Sequence, residues 1–182
     1  MNYERHFLSS RFGNMKRVEL LELIDDIRTY GLLEPVVLYD NKVIDGWHRY
    51  TACKESGVEC KFITLPEDQD PVAYVLSKNM HRRHSMTPSQ RAVIVASLYD
   101  WRQTSGRVSE EVKTVTTKQM ADEAGVSPAT IKRAKQVITE NRQDEVLEEG
   151  KTVNEIIRDS IGSREPIERK PLKLNVELET AQ

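Results

Sequence analysis

The stretch from Val36 to Cys53, VVLYDNKVIDGWHRYTAC, constrains the fold more than any other part of the chain. Three apolar residues lead into the turn pair Asp40-Asn41, and a second apolar pair runs into Asp45-Gly46. Apolar runs that are bounded by turn residues are typical of short strands, and the residues after Gly46 have the composition of a helix. The order predicts strand, turn, strand, glycine turn and helix.

The glycine turn is a candidate phosphate-binding site. Gly46 has no Cβ, so a ligand could approach the backbone closely there. The first turn of the following helix has free N–H groups, which favour anions. His48 and Arg49 lie at that helix start. The alternative interpretation is a plain hairpin that leads into a helix, with both side chains solvated.

Composition places limits on the whole chain. Its 182 residues suit one domain or two small ones, and the net charge of −2 means that any basic surface must be local. No apolar run approaches the roughly 18 residues of a membrane span. The N-terminal MNYERHFLSS has no apolar core of a signal peptide. Two cysteines, Cys53 and Cys60, predict neither a zinc site nor a disulfide framework, and we expect a reducing cytoplasm.

The first 85 residues predict a small α/β domain. Residues 1–13 have no periodicity and are expected to be a loose lead-in, whereas Val18, Leu21, Ile24 and Ile27 have helical spacing. Cys53 and Cys60 are expected in the core of a helix and a strand. The predicted elements are helices over 15–30, 47–57 and 70–81 and strands over 35–39, 42–44 and 59–65.

From residue 86 the pattern becomes helical. Helices are predicted from the capping sequence Met86-Thr87-Pro88-Ser89 to about Trp101, and as a pair over 143–161, with a loop over 103–114 between helical regions. Residues 162–182 carry many charges and are expected to be disordered, or strand-like only in a partner's presence. The fold class is therefore α+β: an α/β domain over 1–85, an all-helical domain over 86–161 and a charged tail.

The segment TKQMADEAGVSPATIKRAKQVI has the pattern of a helix-turn-helix. Thr117 is expected to cap the first helix, Gly125 to make the turn and Ser127 to cap the second helix. Met120, Ala121, Ala124, Ile131, Ala134 and Val137 are expected to face inward, and Val126 to plug the core. The alternative is a helical hairpin in a bundle. The predicted DNA-binding residues are Thr117, Gln119, Ser127, Pro128, Thr130, Lys132, Arg133 and Lys135.

A third segment, SKNMHRRHSMTPSQRA over 77–92, gathers cations around a helix break. Its functional interpretation is an anion clamp in which Arg82 and Arg83 meet phosphates and Asn79 helps to hold a phosphate or its metal ion. The alternatives are a solvated charge run and a chance His-x-x-His pair at His81 and His84.

These three segments, in this order, resemble the ParB/sulfiredoxin-like superfamily over roughly residues 15–160. GLLEPVVLYDNKVIDGWHRYTAC is similar to the strand pair and glycine-arginine box of partition proteins, and KNMHRR with MTPSQRA is similar to their third box and its helix. The resemblance implies binding of CTP or ATP with Mg²⁺, the metal ion being held through the nucleotide near Asn79. The nucleotide-binding residues so implied are Gly46, Trp47, His48, Arg49, Lys78, Asn79, Arg82 and Arg83.

Three departures from the family pattern bear on activity. Lys78-Asn79 stands where partition proteins have Glu-Asn, and His48-Arg49 stands where they have two arginines. Trp47 replaces the nucleophilic cysteine of sulfiredoxin, which excludes that chemistry. We therefore expect nucleotide binding with weak CTP or ATP hydrolysis at most.

The sequence as a whole predicts a nucleotide-dependent protein that binds double-stranded DNA. Its expected role is partition or transcriptional control of a plasmid or phage, as a homodimer, with a partner ATPase in the partition case. The alternative is an enzyme on the same fold, a nuclease or small-molecule kinase, in which Asp45 would serve as a base or metal ligand.

Overall fold

A four-stranded sheet with helices occupies the N-terminal part of the chain, and the elements described after it are all helices, so the α+β class is confirmed. The computed structural model describes residues 2–79, 86–104 and 115–162, with the side chains of 103 and 104 excepted. The sheet part contains β1 Glu4–Arg5, α1 Phe7–Ser10, α2 Arg17–Tyr30, β2 Val36–Tyr39, β3 Lys42–Asp45, α3 Trp47–Ser56, β4 Phe62–Thr64 and α4 Pro71–Asn79. The helical part contains α5 Pro88–Thr104, α6 Thr117–Ala124, α7 Pro128–Thr139, α8 Gln143–Leu147 and α9 Val153–Gly162.

The β2–β3 hairpin is the centre of the sheet, whose strand order is β1-β3-β2-β4. Asp40 and Asn41 have φ angles of 54° and 59°, the left-handed pair that a tight two-residue hairpin turn requires. β1 pairs with β3 and β4 pairs with β2, both in parallel. The predicted hairpin and its turn are therefore confirmed.

The N-terminal segment is part of the fold, and the prediction of a loose lead-in is wrong. β1 lies beside β3, and Leu8 and Phe12 are buried. A two-residue strand and a four-residue helix are too short to show a hydrophobic period, so the sequence pattern did not indicate them.

The helix α2 is rotated relative to the predicted apolar face. Ile24 and Ile27 are buried, but Val18 and Leu21 are 68% and 46% exposed. Leu20 and Leu23 pack toward the core in their place. Both sets of residues have helical spacing, and packing against α3 selects between them.

The sheet has a different core on each face, because alternate residues of a strand point to opposite sides. Val36, Leu38 and Val43 pack with α2 and α3, whereas Val37 and Ile44 join a cluster that extends through α4 and α5 to α9. Residues 92–99 of α5 are all buried, as expected for a helix that is surrounded by protein. The second cluster therefore joins the sheet part to the helical part.

The remaining strand and cap predictions are partly confirmed. β4 begins at Phe62, so Cys60 precedes the strand and is half-buried, contrary to its predicted place in a strand core. Cys53 is buried in α3 as predicted, and α3 ends before Gly57. Asp70 caps α4 by accepting a hydrogen bond from the Val72 N–H at 3.1 Å.

Candidate functional site

The helix α6 begins with a capping box one residue earlier than predicted. Thr116, and not Thr117, is the N-cap: its hydroxyl accepts from the Gln119 N–H at 3.2 Å, and the Gln119 side chain accepts from the Thr116 N–H at 2.8 Å. Both positions are threonine, and only position 116 lies three residues before a side chain that can return the bond. Thr117 is the first helical residue, and its side chain is half-buried.

The turn and inward face of the helix-turn-helix match the prediction. Gly125 has a φ of +62°, which favours glycine, and the Ser127 hydroxyl accepts from the Thr130 N–H at 3.3 Å. All six residues expected to face inward are buried, and Val126 packs against the same core.

Arg91 of α5 fixes this turn, although the sequence grouped it with the cations around the helix break. Its Nε donates to the Ala124 carbonyl at 2.8 Å, and its Nη2 to the Gly125 carbonyl at 3.5 Å. Its Nη1 donates to the Met86 carbonyl at 2.8 Å. Because the carbonyls at the end of α6 lack helical partners, Arg91 satisfies them and orients α7.

The outer surface of α7 is basic. Lys132, Arg133 and Lys135 are exposed, and none has an ion pair with any residue that the structure describes. At 100° per residue, Lys135 lies about 60° from Lys132 on one side and Arg133 about 100° from it on the other. Lys132 is therefore at the centre of the surface. Of the other predicted DNA-binding residues, Gln119, Ser127 and Pro128 are exposed to solvent and Thr130 is half-buried.

The glycine turn lines a pocket of about 290 Å³. Five of the predicted nucleotide-binding residues meet there: Gly46, Trp47, His48, Arg49 and Asn79. We call this the glycine-turn pocket. Lys78 is not among its lining residues, since its Nζ lies 5.9 Å from the centre of the Tyr74 ring. Arg82 and Arg83, with His81 and His84, lie outside the described residues.

Arg49 is already paired in this pocket. Its Nη1 contacts the Glu34 carboxylate at 2.9 Å, and its Nη2 contacts Asp45 at 3.1 Å and the Pro35 carbonyl at 3.2 Å. The side chains of Arg49 and Asp45 are only 21% and 17% exposed, whereas that of Glu34 is 62% exposed. The two carboxylates carry more negative charge than the one guanidinium can neutralise. An incoming anion must therefore compete with Glu34 or Asp45 for Arg49.

Gly46 makes room for this arginine. It has a φ of +84°, and a Cβ at this position would lie 2.8 Å from Arg49 Nη2. The sequence predicted that the glycine would admit a ligand to the backbone. In the structure the guanidinium of Arg49 occupies that space.

His48 and Arg5 hold the segment that precedes α2. His48 Nε2 accepts from the Met15 N–H at 2.9 Å, which requires an unprotonated Nε2. Arg5, which lines the same pocket, donates to Asn14 Oδ1 at 2.7 Å and to the Gly13 carbonyl at 3.0 Å. No pattern in the sequence indicated a role for Arg5, because a single arginine in a two-residue strand has no repeated spacing around it.

Two groups near these sites are neutral at physiological pH. Burial, together with the neighbouring Cys53, raises the pKa of the Cys60 thiol to about 12. Burial and the hydrogen bond to Glu123 raise the pKa of Tyr99 above its usual value. Within the part of the chain that the structure describes, no three His, Cys, Asp or Glu side chains are grouped to hold a metal ion.

Comparison of the sequence with known protein families and with curated proteins found no match. Among solved structures, the fold is similar to the C-terminally truncated chromosome-partitioning protein ParB from Caulobacter crescentus, complexed with CTP-gamma-S. The sequence identity is 15% and the TM-score 0.37, over 81% of this chain and 84% of that chain. Values this low assign neither a family nor a ligand. No helix in the described residues is both long and apolar enough to cross a membrane.

Proposed function

We propose that this protein binds double-stranded DNA through α7. The observation that carries the proposal is the exposed basic surface of a helix whose start is capped and whose turn is held by Arg91. The net charge of the chain is −2, so nonspecific attraction to DNA must come from local surfaces such as this one.

The two ends of α7 suit different contacts. The N-terminal residues of a recognition helix usually meet base edges, which assigns specificity to Ser127, Pro128 and Thr130. Lys132, Arg133 and Lys135 supply phosphate contacts, and an arginine or lysine among them that reaches a guanine would add base readout. One α7 covers a single half-site, so we expect a homodimer on a palindrome.

Fluorescence anisotropy over a salt series tests this proposal. The triple variant Lys132, Arg133, Lys135→Ala should bind random DNA less tightly than wild type. If all three residues contact phosphate, the log–log salt slope should fall by about 2.7, at about 0.9 for each contact. The matched control is Arg17, Arg28, Lys61→Ala, which removes three positive charges from the sheet part and should leave the slope unchanged. Equal binding curves for wild type and the α7 variant would contradict the proposal and favour the alternative, a helical hairpin in a bundle that does not bind DNA.

The same proposal assigns CTP or ATP, with Mg²⁺, to the glycine-turn pocket. Its support is that Gly46, Trp47, His48, Arg49 and Asn79 line one cavity. Arg49 would bind the phosphates, and the ion would be held through the nucleotide. Because the Asn79 amide nitrogen donates to the Val75 carbonyl at 2.9 Å, its oxygen is the atom suited to Mg²⁺.

Calorimetry with CTP and ATP in the presence of Mg²⁺ tests the pocket. Arg49→Ala should weaken binding about tenfold or more, as expected for a lost charge-assisted hydrogen bond. The absence of any heat of binding with either nucleotide would remove the nucleotide from the proposal and leave the DNA part standing.

Hydrolysis is expected to stay near background. Lys78 stands at the position where the resemblance would have an acid, and its side chain lies over Tyr74 outside the pocket lining. Phosphate release with DNA present is the measurement. Turnover well above background would show that an acid at this position is not needed.

The role we propose is nucleotide-dependent DNA binding in partition or transcriptional control of a plasmid or phage. Asp45, the residue that a nuclease or kinase would use as base or metal ligand, is ion-paired with Arg49, and no observation favours the enzyme alternative. DNA bound to the protein can be recovered from a host that carries the plasmid or phage and then sequenced. The sequences would show whether the protein binds a partition site or a promoter.

A further inference from the structure

A second cavity, larger than the glycine-turn pocket, lies on the other side of the segment 10–16. It has a volume of about 650 Å³ and opens between that segment and the helices α5 and α8. Of the residues that the structure describes, Phe12 alone lines both this cavity and the glycine-turn pocket. Its size is within the range of roughly 300–1,000 Å³ that small-molecule sites occupy. We call it the Arg11 cavity.

Arg11 is the residue that indicates what this cavity binds. Within the described structure its side chain has no hydrogen bond or ion pair, and its Nε is buried without an acceptor. Its guanidinium stacks 4.4 Å from the centre of the Phe7 ring, which fixes its position without neutralising its charge. The Nε is too deeply buried for a ligand to reach, so an anion in the cavity would be bound by the Nη groups, which have no acceptor among the described residues.

The other polar groups of the cavity have complementary chemistry. Lys16 is exposed and has no ion pair in the described residues. Asn14 uses its oxygen to accept from Arg5, so its amide N–H groups remain as donors. Among the described lining residues Glu148 is the one carboxylate, and with Arg11 and Lys16 it gives their charged side chains a net charge of +1. Half-buried Met86 and Leu147 supply an apolar wall.

We propose that the Arg11 cavity is a second ligand site, for a small organic anion of the phosphomonoester class. The phosphate group lies at Arg11, Lys16 and the Asn14 amide, and an apolar body packs on Met86 and Leu147. Arg11 contrasts with Arg49, because the latter is paired with two carboxylates and Arg11 is open to an anion.

Phenyl phosphate and inorganic phosphate are the probes for this proposal. Calorimetry on the full chain should show phenyl phosphate binding several-fold more tightly than inorganic phosphate, since only the ester reaches the apolar wall. Arg11→Gln should weaken phenyl phosphate binding tenfold or more. The matched control, Arg28→Gln, removes the same charge at an exposed position and should change the affinity less than twofold.

Methyl NMR locates the probe. Phenyl phosphate should shift the methyl signals of Met86, Ile94 and Leu147, and the amide signals of Gly46 and Trp47 should stay in place. Shifts at the glycine turn alone, or no binding, would overturn the proposal. Should Arg11→Gln fail to fold, Lys16→Gln at its exposed position serves instead and should weaken binding several-fold. An unchanged affinity in the folded variants would also overturn it.

Discussion

In the helix-turn-helix the cations Lys132, Arg133 and Lys135 are exposed and have no ion pairs among the described residues, whereas at the glycine turn Arg49 is bound by two carboxylates. The residues that the fold needs at α7 are apolar or small and lie on the opposite face of the helix. At the glycine turn the fold uses the candidate binding residues themselves, since Arg49 and His48 hold backbone and loop in place. The proposed DNA contacts and stability can therefore be separated by mutation in the first region, whereas the proposed nucleotide contacts and stability are coupled in the second.

The largest effect is expected in the core under α7. Ile131 is fully buried, and Ile131→Ala should lower the free energy of unfolding by about 2–5 kcal/mol, because truncation leaves a cavity. Urea denaturation is the measurement. Ile161→Ala is the matched control, since Ile161 is 61% exposed, and it should cost about 0.5 kcal/mol or less. Equal losses in the two variants would mean that α7 is not packed as described.

The next effect concerns the coupling at the glycine turn. Gly46→Ala should cost about 1–2 kcal/mol for the left-handed backbone, with a further cost for displacing the Arg49 guanidinium from its partners. In an Arg49→Ala background the cost of displacing the guanidinium should vanish, and the cost of the left-handed backbone should remain. Denaturant midpoints of the four proteins complete this double-mutant cycle. A coupling energy of zero would show that Gly46 is required for its backbone angle alone.

A smaller effect tests competition at Arg49. Glu34→Gln removes the exposed carboxylate of this cluster, and a surface ion pair is worth about 0.2–1 kcal/mol. If a nucleotide binds at the glycine turn, its affinity should rise by roughly 1.4- to 5-fold, which calorimetry can resolve. Glu22→Gln makes the same charge change on the exposed side of α2 and should leave the affinity unchanged. A fall in affinity for the Glu34 variant would mean that Glu34 positions Arg49 and does not compete with the ligand.

The smallest effect is a pH dependence in the helical part. Hydrogen bonds from Arg142 and Lys151 lower the pKa of Glu145 to about 2. A lowered pKa in the folded state contributes stability above the usual glutamate pKa of about 4.3, and that contribution is lost as the pH falls toward 2. Between these values the free energy of unfolding should fall more steeply for wild type than for Glu145→Gln. Glu148→Gln, on the turn that follows α8, should keep the wild-type slope.

The accuracy of the sequence-based predictions differs between elements for a physical reason. The β2–β3 hairpin, the Gly125 turn and the buried face of α7 follow from residues that are adjacent in the chain, and these predictions are confirmed. β1 and α1 are held by contacts with β3, about 40 residues away, and their own sequence has no period to reveal them. The prediction for the first half of α2 was wrong for a related reason, because Val18 and Leu21 have the same helical spacing as Leu20 and Leu23, and the packing of α3 decides which pair is buried.

The residues of the candidate site show the same difference between those adjacent in the chain and those that the fold brings together. Gly46 to Arg49 are adjacent in the chain, and the structure adds Asn79 to their pocket but leaves Lys78 out of its lining. Arg5 and Arg11 had no local pattern that indicated a role; in the structure Arg5 holds the segment 10–16, and Arg11 lines the cavity beside it. Arg91, which the sequence analysis only grouped with neighbouring cations, holds the turn between α6 and α7.

Local sequence was enough to predict the α+β class, the hairpin and the helix-turn-helix, because backbone preferences, caps and hydrophobic periods act over a few neighbouring residues. Which charged side chains are paired, and which are open to a ligand, depends on the folded chain. Ion pairs such as that of Arg49 with Glu34 join residues 15 positions apart, and the partner of a long flexible side chain depends on where the fold places it. The two arginines Arg49 and Arg11 look alike in the sequence, and their surroundings in the folded chain make one of them paired and leave the other open.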